Sequence, residues 1–156
     1  MKTSIAIIFT LVSFFTFSQF NYDTGSKELD ADLGFITVEA ERDLGGFKAD
    51  LVSDYNISLK KLDYMFSIGM KAGEVYLTLE ISNIGGKPID DVLACYKSNK
   101  DKGWGYIAKE MGIKPGSPEF HALKGKAKNK KDKAKSSKGS SGKPTKGTSH
   151  SKGKKK

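Results

Sequence analysis

The sequence predicts a mainly α protein: a small bundle of four to five short helices over about 58–124, with an N-terminal β-hairpin over about 35–53 and a disordered C-terminal tail. Three observations carry this expectation. Between Ser58 and Leu123 the apolar residues recur at three- and four-residue spacing, the period of helices with one buried face. At Phe47, Ala49 and Leu51 they alternate with Lys48 and Asp50, the period of a half-buried strand. From Lys124 onward the composition falls to Lys, Gly, Ser and Thr with no aromatic residue, which cannot offset the entropy of an ordered chain.

A chain of 156 residues has room for one domain, and an apolar fraction of 37% is low for a chain packed throughout. Charge is divided unevenly along it. Residues 19–121 carry 12 Lys/Arg against 17 Asp/Glu, whereas residues 122–156 carry 14 Lys against one Asp. With Lys2 counted, the formal net charge of +9 joins an acidic body to a strongly cationic tail.

Residues 1–18 read as a signal peptide. Met1-Lys2-Thr3-Ser4 is a short positive start, Ile5 to Phe17 is a dense apolar run, and Thr16-Phe17-Ser18 places small residues at −3 and −1 of a cut before Gln19. The run is shorter than the roughly 20 residues of a membrane-spanning helix, so no membrane span is expected. Export, to the periplasm or the exterior, follows. The single Cys95 then has no partner for an internal disulfide and reads as a small buried hydrophobe on a helix with Val92 and Tyr96.

Residues 19–34 form a polar arm ahead of a globular domain at 35–123. Phe35-Ile36-Thr37-Val38-Glu39-Ala40-Glu41 and Phe47 to Ser53 favour strands, and Arg42-Asp43-Leu44-Gly45-Gly46 has the Asp and paired Gly of a hairpin connection. Ser58 then caps a helix through Leu59, Leu62, Met65 and Phe66 that ends near Gly69. A second helix holds Val75, Leu79 and Ile81, with Glu74 in its first turn and Gly85-Gly86 stopping it. A third starts at Pro88, with Asp90 and Asp91 near its positive end, and runs to about Asn99.

The following helix places Trp104, Ile107, Ala108 and Met111 at i, i+3, i+4 and i+7, one continuous stripe, and this makes Trp104 a core anchor. Gly103 and Gly105 would let backbone pass close to the indole or take a positive φ. Gly112 is placed to end the helix, Ile113 to fold back on it, and Ser117-Pro118-Glu119 to cap a last short helix holding Phe120 and Leu123.

The block Gly103-Trp104-Gly105-Tyr106-Ile107-Ala108-Lys109-Glu110-Met111-Gly112-Ile113-Lys114-Pro115-Gly116-Ser117-Pro118-Glu119-Phe120-His121-Ala122-Leu123-Lys124, with Gly86 to Val92 upstream, resembles that of a group of small exported bacterial proteins of unassigned function. The resemblance implies a signal peptide followed by a helical domain, and it carries over no catalytic residue. Ile107 to Ile113 is also similar to the first helix and turn of bacterial helix-turn-helix domains. There the next helix should start almost at once, whereas Lys114-Pro115-Gly116 delays it and Pro118 occupies an expected core position.

Catalytic patterns are missing. The sequence has no paired Cys or His cluster of metal-site spacing, no P-loop and no Gly-x-Ser-x-Gly elbow. Asp90-Asp91 are explained by a helix N-terminus, and His121 reads as a partly buried helix residue rather than a general base. No enzyme activity, cofactor, metal or small-molecule substrate is expected.

The expected ligand is a polyanion. The tail presents Lys124, Lys126, Lys128, Lys130, Lys131, Lys133 and Lys135, followed by Lys138, Lys143, Lys146, Lys152, Lys154, Lys155 and Lys156. Lysines without interleaved Arg or aromatic residues favour point-charge contacts to phosphate, sulfate or carboxylate and little sequence reading. Extracellular DNA, lipopolysaccharide or anionic lipid, and acidic polysaccharide are the candidates. The alternative is an envelope structural or regulatory domain that binds another protein. In that case the tail aids solubility or folds back on the acidic body.

Overall fold

The structure, a computed structural model, describes residues 21–139, with side chains through Ser136. These residues are mainly helical and contain no strand. Seven α-helices follow one another: α1 (Lys27–Arg42), α2 (Leu44–Tyr55), α3 (Leu59–Ser67), α4 (Ala72–Gly85), α5 (Ile89–Asn99), α6 (Gly103–Glu110) and α7 (Pro118–Gly139), with a 3₁₀ turn at Lys100–Lys102 before α6.

The expected hairpin over 35–53 is replaced by α1 and α2. The β-branched run in α1 belongs to a longer helical stripe in which Leu29, Leu33, Ile36 and Ala40 are all buried, so packing overrides local strand preference. Ser26 caps that helix through a hydrogen bond from the Leu29 N–H. In α2, Phe47 and Leu51 are buried four residues apart while Ala49 is exposed, which breaks the strand alternation. Asp43 is the cap of α2 and accepts from the Gly46 N–H at 2.8 Å. A Cβ on Gly46 would lie 2.3 Å from Asp43 Oδ2, so this glycine serves a tight helix start rather than a hairpin turn.

The helices from α3 to α6 follow the expected pattern. Ser58 accepts from the Lys61 N–H at the start of α3, and Leu62 and Met65 are fully buried, although Leu59 is 53% exposed. The central α4 is buried around most of its circumference, through Val75, Tyr76, Leu77, Thr78, Leu79, Glu80 and Ile81. It packs against α1, α3, α5 and α7. Val92, Leu93 and Tyr96 of α5 close the core on one side.

Trp104 is 3% exposed, its ring stacked on Tyr96 at 5.2 Å and its Nε1–H donating to Glu74 Oε1. Ile107 and Ala108 are buried with it, and Met111 is half-buried at the edge. Within the expected polar arm, the described residues before α1 are packed on the body: Tyr22 is buried, its hydroxyl 2.7 Å from Thr37 Oγ1. The carbonyls of Tyr22 and Asp23 accept from the Trp104 and Gly105 N–H groups at 2.9 and 2.8 Å, supplying partners for the first turn of α6. Gly103 has φ +77, and a Cβ on Gly105 would lie 3.0 Å from the Asp23 carbonyl oxygen. The two glycines beside the Trp thus admit the N-terminal segment.

After α6, Gly112 takes φ +95 and the buried Ile113 returns its N–H to the Ala108 carbonyl. Ser117 caps α7 by accepting from the Phe120 N–H at 3.2 Å. The expected short helix ending at Leu123 instead continues to Gly139, so residues 124–139 of the expected disordered tail are helical. Phe120, Leu123 and Ala127 bury one stripe of α7 against α1 and α4.

Candidate functional site

The lysines of α7 divide between two faces. Lys124, Lys131 and Lys135 recur along the helix at seven and four residues and meet α1. Lys124 Nζ lies 3.2 Å from Glu28, Lys131 pairs with Asp32, and the Lys135 ammonium lies 5.1 Å from the centre of the Phe35 ring. Lys130 turns to α2, donating to Asp50 at 3.0 Å, with Asp54 at 3.8 Å and the Phe47 ring centre at 5.9 Å. The acidic body and the start of the basic tail therefore neutralise each other locally.

These pairs are not equivalent. Asp32 and Lys131 are mostly withdrawn from water, their side chains 12% and 21% exposed, which strengthens the attraction and raises the penalty for losing one partner. Glu28 is solvent-facing; its carboxyl is held down to about 2 by the Ser26 hydroxyl first, then by a backbone N–H and Lys124. Lys126, Lys128 and Lys133 are exposed and enter none of the ion pairs found among the described residues. Lys138 lies in the last turn of the described helix, and Lys143, Lys146, Lys152, Lys154, Lys155 and Lys156 lie outside the described residues, as does the expected signal peptide.

A second feature was hidden from sequence reading. Glu80 of α4 is 2% exposed, and its Oε1 accepts from both the Tyr55 hydroxyl at 2.6 Å and the Tyr76 hydroxyl at 2.9 Å. The two rings meet edge to face with centroids 6.4 Å apart. Burial first, then Tyr76 for Tyr55 and the Glu80 carboxylate for Tyr76, pushes both phenols well above the ordinary tyrosine range. Glu80 Oε2 has no hydrogen-bond partner among the described residues. The Glu80 residue borders a cleft of about 550 Å³ between α2, α4 and the lysine-bearing α7.

A shallower groove of about 800 Å³ runs between α3 and α5, bordered by Lys60, Lys61 and Lys97 together with Tyr64 and Leu93. Lys97 stands 4.9 Å from the Tyr64 ring centre, and Lys61 pairs with Asp90. Asp90 and Asp91 occupy the first turn of α5. His121 is exposed on α7 rather than partly buried. Cys95 is a partly buried free thiol, raised above its ordinary pKa by that burial.

Among the described residues no group of three His, Cys, Asp or Glu side chains is placed to hold a metal ion. No described helix is long and apolar enough to cross a membrane. The seven residues Met111–Ser117 separate α6 from α7, longer than the close turn of a helix-turn-helix unit. Comparison with protein-family models, with curated proteins and with solved structures finds no match.

Proposed function

We propose that the protein is an exported, non-enzymatic binding protein that attaches to polyanions through the lysines of α7 and the segment beyond it. The observation that supports this reading is that α7 carries both docked and uncommitted lysines. Lys124, Lys130 and Lys131 fix α7 to acids of the body, while Lys126, Lys128 and Lys133 on the same rod are exposed and enter no ion pair found among the described residues. Seven further lysines, from Lys138 to Lys156, follow. A folded domain that ends in a fixed cationic helix and a lysine-rich extension suits a tether. Its attraction comes from counterion release and needs no base- or sugar-specific pocket.

The rival reading, an envelope domain that recognises another protein, is favoured by a different observation: Tyr64, which lines the α3–α5 groove, is 39% exposed, and Leu59 of the same helix is 53% exposed. The two readings separate in one binding experiment on the chain from Gln19. Full-length protein is compared with a form ending at Gly139 and with a Lys126→Gln/Lys128→Gln/Lys133→Gln form. Probes are duplex DNA, phosphatidylglycerol vesicles and lipopolysaccharide at two salt concentrations. A tether loses affinity in both altered forms and in high salt, with a DNA log–log slope of up to about −0.9 per phosphate neutralised. Equal binding by all three proteins, or binding by none, rejects it. Truncation should stop at Gly139, because a cut after Leu123 would also remove the packed Ala127 and three docking lysines.

A further inference from the structure

The Glu80 cleft shares Lys126 and Lys133 with the polyanion reading but has its own chemistry. A buried carboxylate oxygen without a donor carries a desolvation penalty that native proteins seldom leave uncompensated. Here the uncompensated atom is Oε2, since both tyrosine hydroxyls go to Oε1. The cleft beside it has the size of a small-ligand site, about 300–1,000 Å³. On its opposite wall α7 contributes Lys126, Asn129, Lys130 and Lys133, spaced i, i+3, i+4 and i+7 and so on one face, with Asp132 and Ser136 beside them, so that three lysines outweigh one carboxylate. Lys130 is engaged by Asp50 and Asp54, but Lys126 and Lys133 are in no ion pair found among the described residues.

The two walls ask for opposite charges. An inorganic anion would satisfy the lysines and be repelled by Glu80; a simple amine would satisfy Glu80 and leave the lysines unmatched. We propose that the cleft between α2, α4 and α7 binds a small zwitterion, its ammonium donating to Glu80 Oε2 and its carboxylate held by Lys126 and Lys133. Charge-assisted hydrogen bonds at both ends fix the ligand's direction and select the spacing between its charges. Tyr55 and Tyr76 hold the carboxylate in place by occupying its other oxygen, and so act as positioning residues. The sequence advertises no such ligand, because the contributing residues are far apart in the chain.

The test is calorimetric titration of the full chain with a molecular ruler: glycine, β-alanine, 4-aminobutanoate and 6-aminohexanoate. Controls are the N-acetyl derivative of the tightest member, which lacks the cation, and the alkylamine of matching length, which lacks the anion. The expected result is saturable binding that peaks at one chain length and weakens by about tenfold or more on N-acetylation, a loss of about 1.4 kcal/mol. Glu80→Gln, which keeps an oxygen for the tyrosines, should reproduce that loss. Lys126→Gln/Lys133→Gln lies on the exposed rim and should weaken the zwitterion while leaving the alkylamine unchanged, so the proposal remains testable if Glu80→Gln fails to fold. No saturable binding by any ruler member, full affinity of the N-acetyl derivative, or equal loss of zwitterion and amine in the lysine variant would overturn it. Retention on DNA by the same lysine variant reports on the tether separately.

Discussion

Two helices of the bundle, α4 and α7, pack side by side yet are held by different physics. The first is enclosed: Val75, Leu77, Leu79 and Ile81 are each 1% exposed or less, and the polar Thr78 and Glu80 are satisfied inside α4 or by tyrosines, apart from Glu80 Oε2. The second is a lysine-rich rod seated by Phe120, Leu123 and Ala127, then by ion pairs to Glu28, Asp32, Asp50 and Asp54. Ionic screening does not weaken apolar burial, whereas exposed ion pairs weaken as the screening length falls to about 3 Å at 1 M. Stability should therefore be a property of α4, and docking of the C-terminal half of α7 a property of solution conditions.

The largest effect expected is on the α4 side. Leu79→Ala leaves a cavity in the most enclosed part of the core and should lower unfolding free energy by about 2–5 kcal/mol in urea denaturation followed by circular dichroism. Lys130→Gln in α7 removes a pair whose acidic partners are exposed and should lower it by less than about 1 kcal/mol. If the two substitutions cost the same, the contrast between the helices fails.

Asp32→Asn comes next. Its pair with Lys131 is the least exposed on α7, and a charged hydrogen bond of this kind contributes about 1.5–3 kcal/mol. The loss should be local. Amide exchange should quicken in α7 around Lys131 and leave α4 protected; uniform loss of protection would mean that α7 is as integral to folding as the core.

The contrast also marks what sequence could reveal. The helices from Leu59 to Glu110 were legible because Ser58, Gly86, Pro88 and Gly112 punctuate apolar stripes of helical period. The same reasoning misread α1 and α2. Phe35-Ile36-Thr37-Val38 is locally strand-like, and Asp43-Leu44-Gly45-Gly46 has turn composition; yet Leu29, Leu33, Ile36 and Ala40 already carried the helical period. The beginning of α7 was hidden in a composition typical of disorder. What orders it is a set of acids at positions 28, 32, 50 and 54, brought to one face only by folding. Glu80 was invisible for the same reason: Tyr55 lies 25 residues away, and the lysine wall more than 40.

A smaller effect tests the replacement of the hairpin by helices. Asp43→Ala removes the cap that accepts from the Gly46 N–H and should destabilise α2 by about 0.5–2 kcal/mol. Because α2 supplies Asp50 and Asp54 to Lys130, fraying of its start should loosen α7 more than α4. The measurement is helical signal and residue-level exchange: a drop in helicity with faster exchange at 44–48 supports the capped helix. Unchanged helicity and exchange would restore a turn at 42–46.

The smallest effect is one of pH, and it concerns the fully solvated end of the α1–α7 contact. Glu28 is depressed from an ordinary value of 4.5 to about 2, chiefly by the Ser26 hydroxyl and then by backbone and Lys124. A carboxyl lowered in the folded state contributes stability that is complete above its unfolded pKa and lost as pH falls through the folded value. The contribution should thus be constant above about pH 4.5 and vanish toward about pH 2. Carboxyl titration by NMR would give its midpoint directly. Glu28→Gln should abolish that titration, and Lys124→Gln should raise its midpoint only in part, because the Ser26 hydroxyl remains. A full return to the ordinary value in Lys124→Gln would make the interhelical ion pair, rather than the local cap, the source of the depression.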